Sequence, residues 1–115
     1  MAVNRLHASR LAPWAGLLAG MAAEIVHHQL LSDMLRYDCR LGGATAGLAV
    51  GIPALLLIAA GVGVSWASVR GSDPQGAHAQ TRRFIAQVST MMGGLLAVAI
   101  VWQTMATMIV PACAP

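Results

Sequence analysis

Three ionisable side chains, Glu24, His27 and His28, stand inside an otherwise apolar stretch of the sequence. Carboxylate and imidazole groups can pass protons or hydrogen-bond a quinone, and imidazole can also ligate haem iron or copper. On a helix, Glu24 precedes the two histidines by three and four residues, so we expect all three side chains near one face. The same arrangement also suits a hydrogen-bonded contact between helices.

These readings of the polar group stay open at the level of sequence. For haem ligation through His27 or His28, Met105 or Met108 offers a second ligand, because adjacent histidines point about 100° apart on a helix and cannot be the two opposed ligands of one haem. The sequence lacks the CxxCH, HExxH, CxxC, Walker and GxGxxG patterns. We therefore expect no catalytic residue and no metal site in this chain, and no cofactor of its own.

The sequence around this group is too apolar for an ordinary soluble domain. Of its 115 residues, 57% are hydrophobic and 10% charged, whereas soluble domains carry about 25% charged residues. Three stretches are long enough for a helix to cross a bilayer, which takes about 20 residues. We predict an all-α protein with three transmembrane helices, formed by residues 1–115 as a single integral membrane unit with spans at about 11–35, 44–66 and 84–110.

The first span also has the pattern of a signal peptide. Arg5 and Arg10 precede a 13-residue apolar run, 11–23, that ends in small residues. We expect this segment to be retained as an uncleaved helix.

The arginines predict the orientation of the spans. With the N-terminus inside, five arginines lie on the inner side and two on the outer side: Arg5, Arg10, Arg70, Arg82 and Arg83 against Arg36 and Arg40. Cytoplasmic loops are enriched in positive residues. We therefore place the N-terminus and the loop 67–83 in the cytoplasm, and residues 33–43 and the C-terminus in the periplasm.

The same charges indicate which partners to expect. The net charge of +3 comes from arginines that cluster near the ends of spans, which indicates contact with a lipid bilayer rather than with nucleic acid. Trp14 and Trp66 fall at the inner interface in this topology, where indole rings are enriched. We predict a multi-pass protein of the bacterial inner membrane.

Cys39 and Cys113 are the two cysteines of the sequence. Each follows a span that runs from the inside to the outside, so the first and third helices are parallel and their outer ends can lie side by side. An oxidising compartment favours a disulfide between them, with two free thiols as the alternative. If the cysteines align the two helices, Gln103, Thr104 and Thr107 lie at about the depth of the histidines.

Small residues recur every four positions in two of the spans. They are Gly16 and Gly20 in the first, and Gly43, Gly47 and Gly51 in the second. Such faces let helices approach closely in lipid, although the spacing leaves open whether they pack on each other or on a partner. Glu24 continues the line of Gly16 and Gly20. We therefore predict a polar intramembrane contact made of Glu24, His27, His28, Gln29 and Gln103.

Three segments of the sequence are familiar in combination: "WAGLLAGMAAEIVHHQLLSDMLRYDC" at 14–39, "RRF" at 82–84 and "VWQTMATMIVPAC" at 101–113. The chain resembles small three-span bacterial membrane proteins associated with haem-copper terminal oxidases and their assembly factors. The resemblance is carried by Trp14, His28, Gln29, Cys39, Arg83, Phe84, Gln103, Pro111 and Cys113. Met21 and Glu24 depart from the family pattern, so the resemblance implies no role for Glu24.

The resemblance implies a non-catalytic accessory subunit or assembly partner of a respiratory complex, most of all a haem-copper oxidase. Its partners would be larger membrane subunits, which would hold the haem or copper. The alternative is a membrane redox protein that binds haem, copper or quinone through Glu24, His27 and His28. A small oligomeric transporter or channel is a third, weaker possibility, because three spans lack the inverted-repeat symmetry of many transporters.

Overall fold

Three long helices make up most of the part of the chain that the structure describes. The computed structural model describes residues 10–70, 76 and 78–113. Helix α1 comprises Ala15–Tyr37, α2 comprises Ala44–Arg70 and α3 comprises Ala79–Ile109. A 3-10 turn, Ala12–Trp14, precedes α1, and a second, Cys39–Leu41, separates α1 from α2. Helix α2 continues to residue 70 and α3 begins at residue 79, so both helices extend into the predicted loop 67–83.

Helices α2 and α3 are long and apolar enough to cross a membrane. Their most apolar windows have mean hydropathies of 2.3 and 2.0, and only 28% and 22% of those windows are buried inside the protein. A core helix of a soluble protein is mostly buried, so this exposure is what a lipid-facing helix shows. Helix α1 contains Glu24, two histidines and Asp33 and is not among the candidate spans found in the described residues.

The first turn of α1 is completed by a side chain from α2. The backbone N–H of Gly16 donates to Ser65 Oγ at 2.8 Å, and the Ser65 hydroxyl donates to the carbonyl oxygen of Pro13 at 3.1 Å. Ser65 is 0% exposed. A buried backbone N–H requires an acceptor, and here the acceptor lies 49 residues away in the chain. Ser65 therefore fixes the start of α1 against α2.

Four of the five glycines predicted to pack lie against α3, whereas Gly61 of α2, which the spacing did not single out, packs against Ala15 and Ala19 of α1. A Cβ on Gly16 would lie 3.0 Å from the Ser89 carbonyl oxygen, and one on Gly20 would lie 2.8 Å from Leu96 Cδ1. On α2, a Cβ on Gly47 would collide with the side chain of Thr107. A side chain at any of these positions would force its neighbours to shift, as expected for helices packed through small residues.

Gly43 differs from the prediction that it belongs to a packing face. A Cβ there would meet no atom within 4 Å, and its φ is +101°, in the region that favours glycine. It precedes α2, and its carbonyl oxygen accepts a hydrogen bond from the Gly47 N–H at 2.9 Å. The position needs glycine for its backbone conformation, because the chain reverses there between α1 and α2.

A small apolar core lies between the helices. Its buried members are Ala23, Ala54, Ile58 and Ile100, and the partly buried Leu55, Val62, Leu96 and Ala97 pack around them. The C-terminal ends of α1 and α3 are joined because the sulfurs of Cys39 and Cys113 lie at disulfide-bonding distance, with the Cα atoms 5.2 Å apart. This cysteine pair aligns the two parallel helices.

Candidate functional site

Gln103 of α3 connects the two ionisable residues of α1 that face it. Its Nε2 donates to Glu24 Oε1 at 2.7 Å, and its Oε1 lies 3.1 Å from His27 Nδ1. Because an amide oxygen can only accept, this arrangement places a hydrogen on His27 Nδ1. The structure therefore brings Glu24, His27 and Gln103 into one contact between α1 and α3.

The other ring nitrogen of His27 also faces α3. His27 Nε2 lies 3.4 Å from Thr104 Oγ1, and the imidazole is 0% exposed. In a neutral ring with its hydrogen on Nδ1, Nε2 accepts from the threonine hydroxyl. Thr107 donates to the Thr104 carbonyl oxygen at 2.7 Å, which adds a second hydroxyl one turn away. A metal ion at His27 Nε2 would have to displace Thr104.

Small residues on neighbouring helices make room for the imidazole. His27 lies on the buried line of α1, which consists of Gly16, Gly20, Ala23, His27 and Leu31. On α2, a Cβ at Gly51 would lie 3.6 Å from His27 Nε2 and 2.6 Å from Thr104 Oγ1. Gly51 therefore lets α2 cover the pair formed by His27 and Thr104.

Only one of the two carboxylate oxygens of Glu24 has a hydrogen-bond partner in this contact. Oε1 accepts from Gln103, whereas Oε2 is buried without a hydrogen-bond partner among the described residues. The residue as a whole is partly exposed at the flank of α1. An acceptor without a donor costs about 1–3 kcal/mol when it is buried. The carboxyl group is thus the least stabilised part of the polar contact.

His28 and Gln29 do not join this contact, contrary to the prediction. Both are exposed; Gln29 bonds to the carboxylate of Asp33 at 3.2 Å, and His28 has no hydrogen bond to any described residue. Each residue of a helix is rotated by about 100° from the last. Since His27 points into the bundle, His28 lies at the edge of the buried face and Gln29 lies outside it.

A groove between α1 and α2 runs beside His27. Its volume is about 340 Å³, and it is lined by Ala22, Ala23, Val26, His27, Leu30, Ala49, Val50, Pro53, Ala54 and Leu57. Pro53 has no N–H, so the carbonyl oxygen of Ala49 four residues earlier lacks its usual helical donor. The lining of the groove is apolar apart from His27, and it includes Ala49, whose carbonyl oxygen has no helical donor.

Sequence reasoning missed several of the residues that build the site. On the inner face of α3 the missed residues are Ala86, Ser89, Gly93 and Ile100; the face also carries Thr104, which the sequence already placed at the depth of the histidines. Their spacing of three, four and seven residues is the signal that would have revealed this face. Ser65, by contrast, has no local signal, because its partners lie in another helix. Among the described residues, no group of three or more His, Cys, Asp or Glu is placed to hold a metal ion.

Comparison with protein-family models, with curated proteins and with solved structures finds no match to this chain. The resemblance to oxidase-associated membrane proteins thus depends on the quoted motifs alone.

Proposed function

We propose that the chain is a three-span protein of the bacterial inner membrane that serves as a non-catalytic accessory subunit or assembly partner of a larger membrane complex. Its N-terminus is cytoplasmic and its C-terminus periplasmic in this proposal. In this proposal α1 crosses the membrane together with the two apolar helices. Its packing against both α2 and α3 supports this.

The exposed side chain of His28 is the observation that carries the proposal. His28 lies nine residues before the end of α1 at Tyr37, or about 14 Å along the helix axis. That depth is inside the hydrocarbon region if α1 spans the bilayer. Ionisable side chains at such depths face protein or a water-filled cavity rather than lipid. A neighbouring protein that covers this flank would supply the missing partner for His28.

A respiratory complex is the candidate partner because of the resemblance. His28 and Gln29 are two of the positions that carry the likeness to oxidase-associated proteins, and both lie on the outside of this bundle. A side chain that packs within the chain would point inward, as Gln103 does. We therefore propose a haem-copper terminal oxidase as the complex, with any haem or copper held by the partner subunits.

The proposal is tested by purifying the tagged chain in mild detergent and identifying the membrane proteins that come with it. We expect oxidase subunits in near-stoichiometric amounts. The variant His28→Leu should reduce their recovery, because it leaves polar groups of the partner without a hydrogen bond at about 1–3 kcal/mol each.

A matched control is Leu56→Ala, which alters an exposed side chain on α2 and should leave recovery unchanged. Recovery of no membrane partner, or equal recovery with His28→Leu and wild type, would contradict the proposal. Both variants are first checked for helical content, so that a folding failure is not counted as a lost interface.

The groove beside His27 favours a second candidate function, a quinone-binding redox protein. Its volume of about 340 Å³ lies within the range of small-molecule sites, about 300–1,000 Å³. Its apolar walls suit a ring with an isoprenoid tail, and the Ala49 carbonyl oxygen can accept from a quinol hydroxyl. Extracted quinone that co-purifies with the wild type and is lost in Ala49→Leu would support this function, whereas a Soret band in the purified protein would indicate haem instead.

A further inference from the structure

A second groove lies between α1 and α3, at the C-terminal ends of both helices. Its walls include Leu35 of α1, Ala106 of α3, and Gly43, which precedes α2. Thr107 is a polar residue of the lining, but its hydroxyl already donates to the Thr104 carbonyl oxygen at 2.7 Å. The volume is about 310 Å³, whereas a water molecule takes up about 30 Å³ in the liquid. The groove therefore has room for a large apolar side chain.

The walls of this groove are held together by covalent and packing contacts. Cys113 follows the wall residue Ala112 and pairs with Cys39, which follows α1. A Cβ on Gly42 would collide with the Leu35 side chain and lie 3.0 Å from Ala112 Cβ, so the connection between α1 and α2 packs tightly against both. The groove is formed before any partner binds, which lowers the cost of ordering on binding.

The groove opens on the same flank of the bundle as His28. Leu35 follows His28 by seven residues, or two helical turns, so both side chains lie on one side of α1, about 10 Å apart along its axis. On α3, Ala106 follows Gln103 by about one turn, and Gln103 contacts α1 at His27. One face between α1 and α3 thus carries both an open groove and an imidazole that has no hydrogen bond to any described residue.

We propose that this face receives one transmembrane helix of the partner protein. That helix presents an Asn or Gln side chain to His28 and, two turns away, a bulky apolar side chain to the groove. A carboxamide both donates and accepts hydrogen bonds, so it suits either ring nitrogen of His28. Large side chains that fill preformed pockets dominate the energetics of interfaces. This partner helix depends on the proposed function, because it belongs to the same partner.

Neither a lipid nor a second copy of the chain matches both features of this face. An acyl chain can enter the groove, but it has no polar group to offer His28 within the hydrocarbon region. A second copy related by a two-fold axis would set the groove against its own equivalent, so two hollows would face each other without a side chain to fill either. A helix from a different protein can carry both groups at the required spacing.

The test measures binding of fluorescent peptides to the purified chain in mild detergent by anisotropy. The peptides are leucine–alanine helices of about 24 residues, long enough to span a bilayer, and each carries one Gln and one Trp. In the two matching peptides Trp stands seven residues after or before Gln, because the partner helix can run in either direction. In the control peptide the spacing is nine residues, which puts Trp on the opposite side of the helix. We expect one matching peptide to bind about tenfold more tightly than the control, as expected for a side chain anchored in a pocket.

Two variants of the chain assign the contacts. His28→Leu should weaken binding of the matching peptide by about threefold to tenfold, and it should not weaken binding of a peptide whose Gln is replaced by Leu. Ala106→Leu fills the groove from α3 and should remove the advantage of Trp over Ala in the peptide. Ala59→Leu is the matched control, because Ala59 is exposed on α2 and lines neither groove. Helical content and the oxidised cysteine pair are checked in each variant.

Equal binding at the two spacings would overturn the proposal, as would equal effects of Ala106→Leu and Ala59→Leu. Tighter binding of a labelled second copy than of any peptide would assign the face to a dimer, and loss of the Trp advantage on adding dioleoylphosphatidylcholine would assign the groove to lipid. If a variant does not fold, the peptide substitutions decide the question on the wild-type chain. Oxidase subunits that co-purify while the peptides show no preference would refute this helix and leave the accessory role standing. A peptide preference without co-purifying oxidase would support the helix and count against the oxidase.

Discussion

Gly51 of α2 and Thr104 of α3 approach so closely that a Cβ on Gly51 would lie 2.6 Å from the threonine hydroxyl oxygen. The same hydroxyl faces His27 Nε2 at 3.4 Å. The distance between α2 and α3 is therefore linked to the surroundings of the imidazole.

Replacing Gly51 with alanine should destabilise the protein by about 1–2 kcal/mol. Overpacking costs about 1–3 kcal/mol, and the higher helix propensity of alanine offsets up to about 1 kcal/mol of that. Gly63→Ala is the control, because a Cβ on Gly63 meets no atom within 4 Å. It should be neutral or stabilising. Unfolding in detergent measures both, and equal effects of the two substitutions would show that the close approach is absent.

Gln103→Leu should cost about 1–3 kcal/mol, because it removes the hydrogen-bond partner of both Glu24 Oε1 and His27 Nδ1. Interhelical hydrogen bonds in membranes average about 0.6 kcal/mol, so a value at or below the lower bound is expected if water reaches the freed groups of Glu24 and His27. Denaturant unfolding of the purified protein provides the measurement.

Gln29→Leu serves as the comparison for Gln103→Leu. Gln29 is exposed and bonds only to Asp33 among the described residues, so its loss should change stability by less than about 0.5 kcal/mol. A larger effect for Gln29 than for Gln103 would mean that the two side chains have been assigned to the wrong sides of the bundle.

Ser65→Ala should loosen the start of α1. The variant leaves the Gly16 N–H without its acceptor, at about 1–3 kcal/mol. Hydrogen exchange of the Gly16 amide should accelerate, whereas amides near Ile100 should stay protected. Ser68→Ala removes a hydroxyl that bonds only within α2 and should leave the Gly16 amide unchanged. Unaltered exchange in Ser65→Ala would rule out this link between the helices.

The cysteine pair should be oxidised in protein from unstressed cells. Cys39 and Cys113 are separated by 74 positions, and chain-entropy models give about 4 kcal/mol for a closed loop of that length in water. The gain should be smaller in a bilayer, which already restricts the open chain. Alkylation without reduction followed by mass spectrometry provides the check, and two alkylated cysteines would disprove the bond.

The proposed orientation predicts the behaviour of fusion reporters. A reporter that is active only in the periplasm should work after Pro115 and stay silent near Gly76, because the arginine asymmetry places these sites on opposite sides. A reporter that is active only in the cytoplasm should give the opposite pattern. Activity of the periplasmic reporter at Gly76 would require the reverse orientation.

The sequence predicts the position of a residue along the helix axis better than the side of the helix on which the residue lies. Aligning the helices at Cys39 and Cys113 is enough to put Gln103 and Thr104 level with His27, since helical rise is constant. The rotation of α1 about its own axis is set by packing on α2 and α3. An error of one residue in that rotation is about 100°, which is why His28 was expected inside and lies outside.

The identity of the packing partners could not be predicted from one helix at a time. Gly16 and Gly47 have the same local pattern, and both pack on α3 because that helix presents Ser89, Gly93 and Thr107 to its neighbours. Gly43 continues the spacing of Gly47, yet its role lies in its positive φ. Periodicity in the sequence identifies regularly spaced small residues. It does not show whether a given glycine is needed for helix packing or for a turn.

The pairing of Cys39 with Cys113 has a consequence for biosynthesis. Cys39 follows α1, so in the proposed orientation it reaches the oxidising side while α2 and α3 still await insertion. The bond can close only after α3 has crossed the membrane in the correct direction. A chain that stalls or inverts keeps a free Cys39 thiol, which distinguishes it chemically from a finished molecule. In the proposed orientation, a disulfide between Cys39 and Cys113 is therefore present only in molecules whose three helices have been inserted correctly.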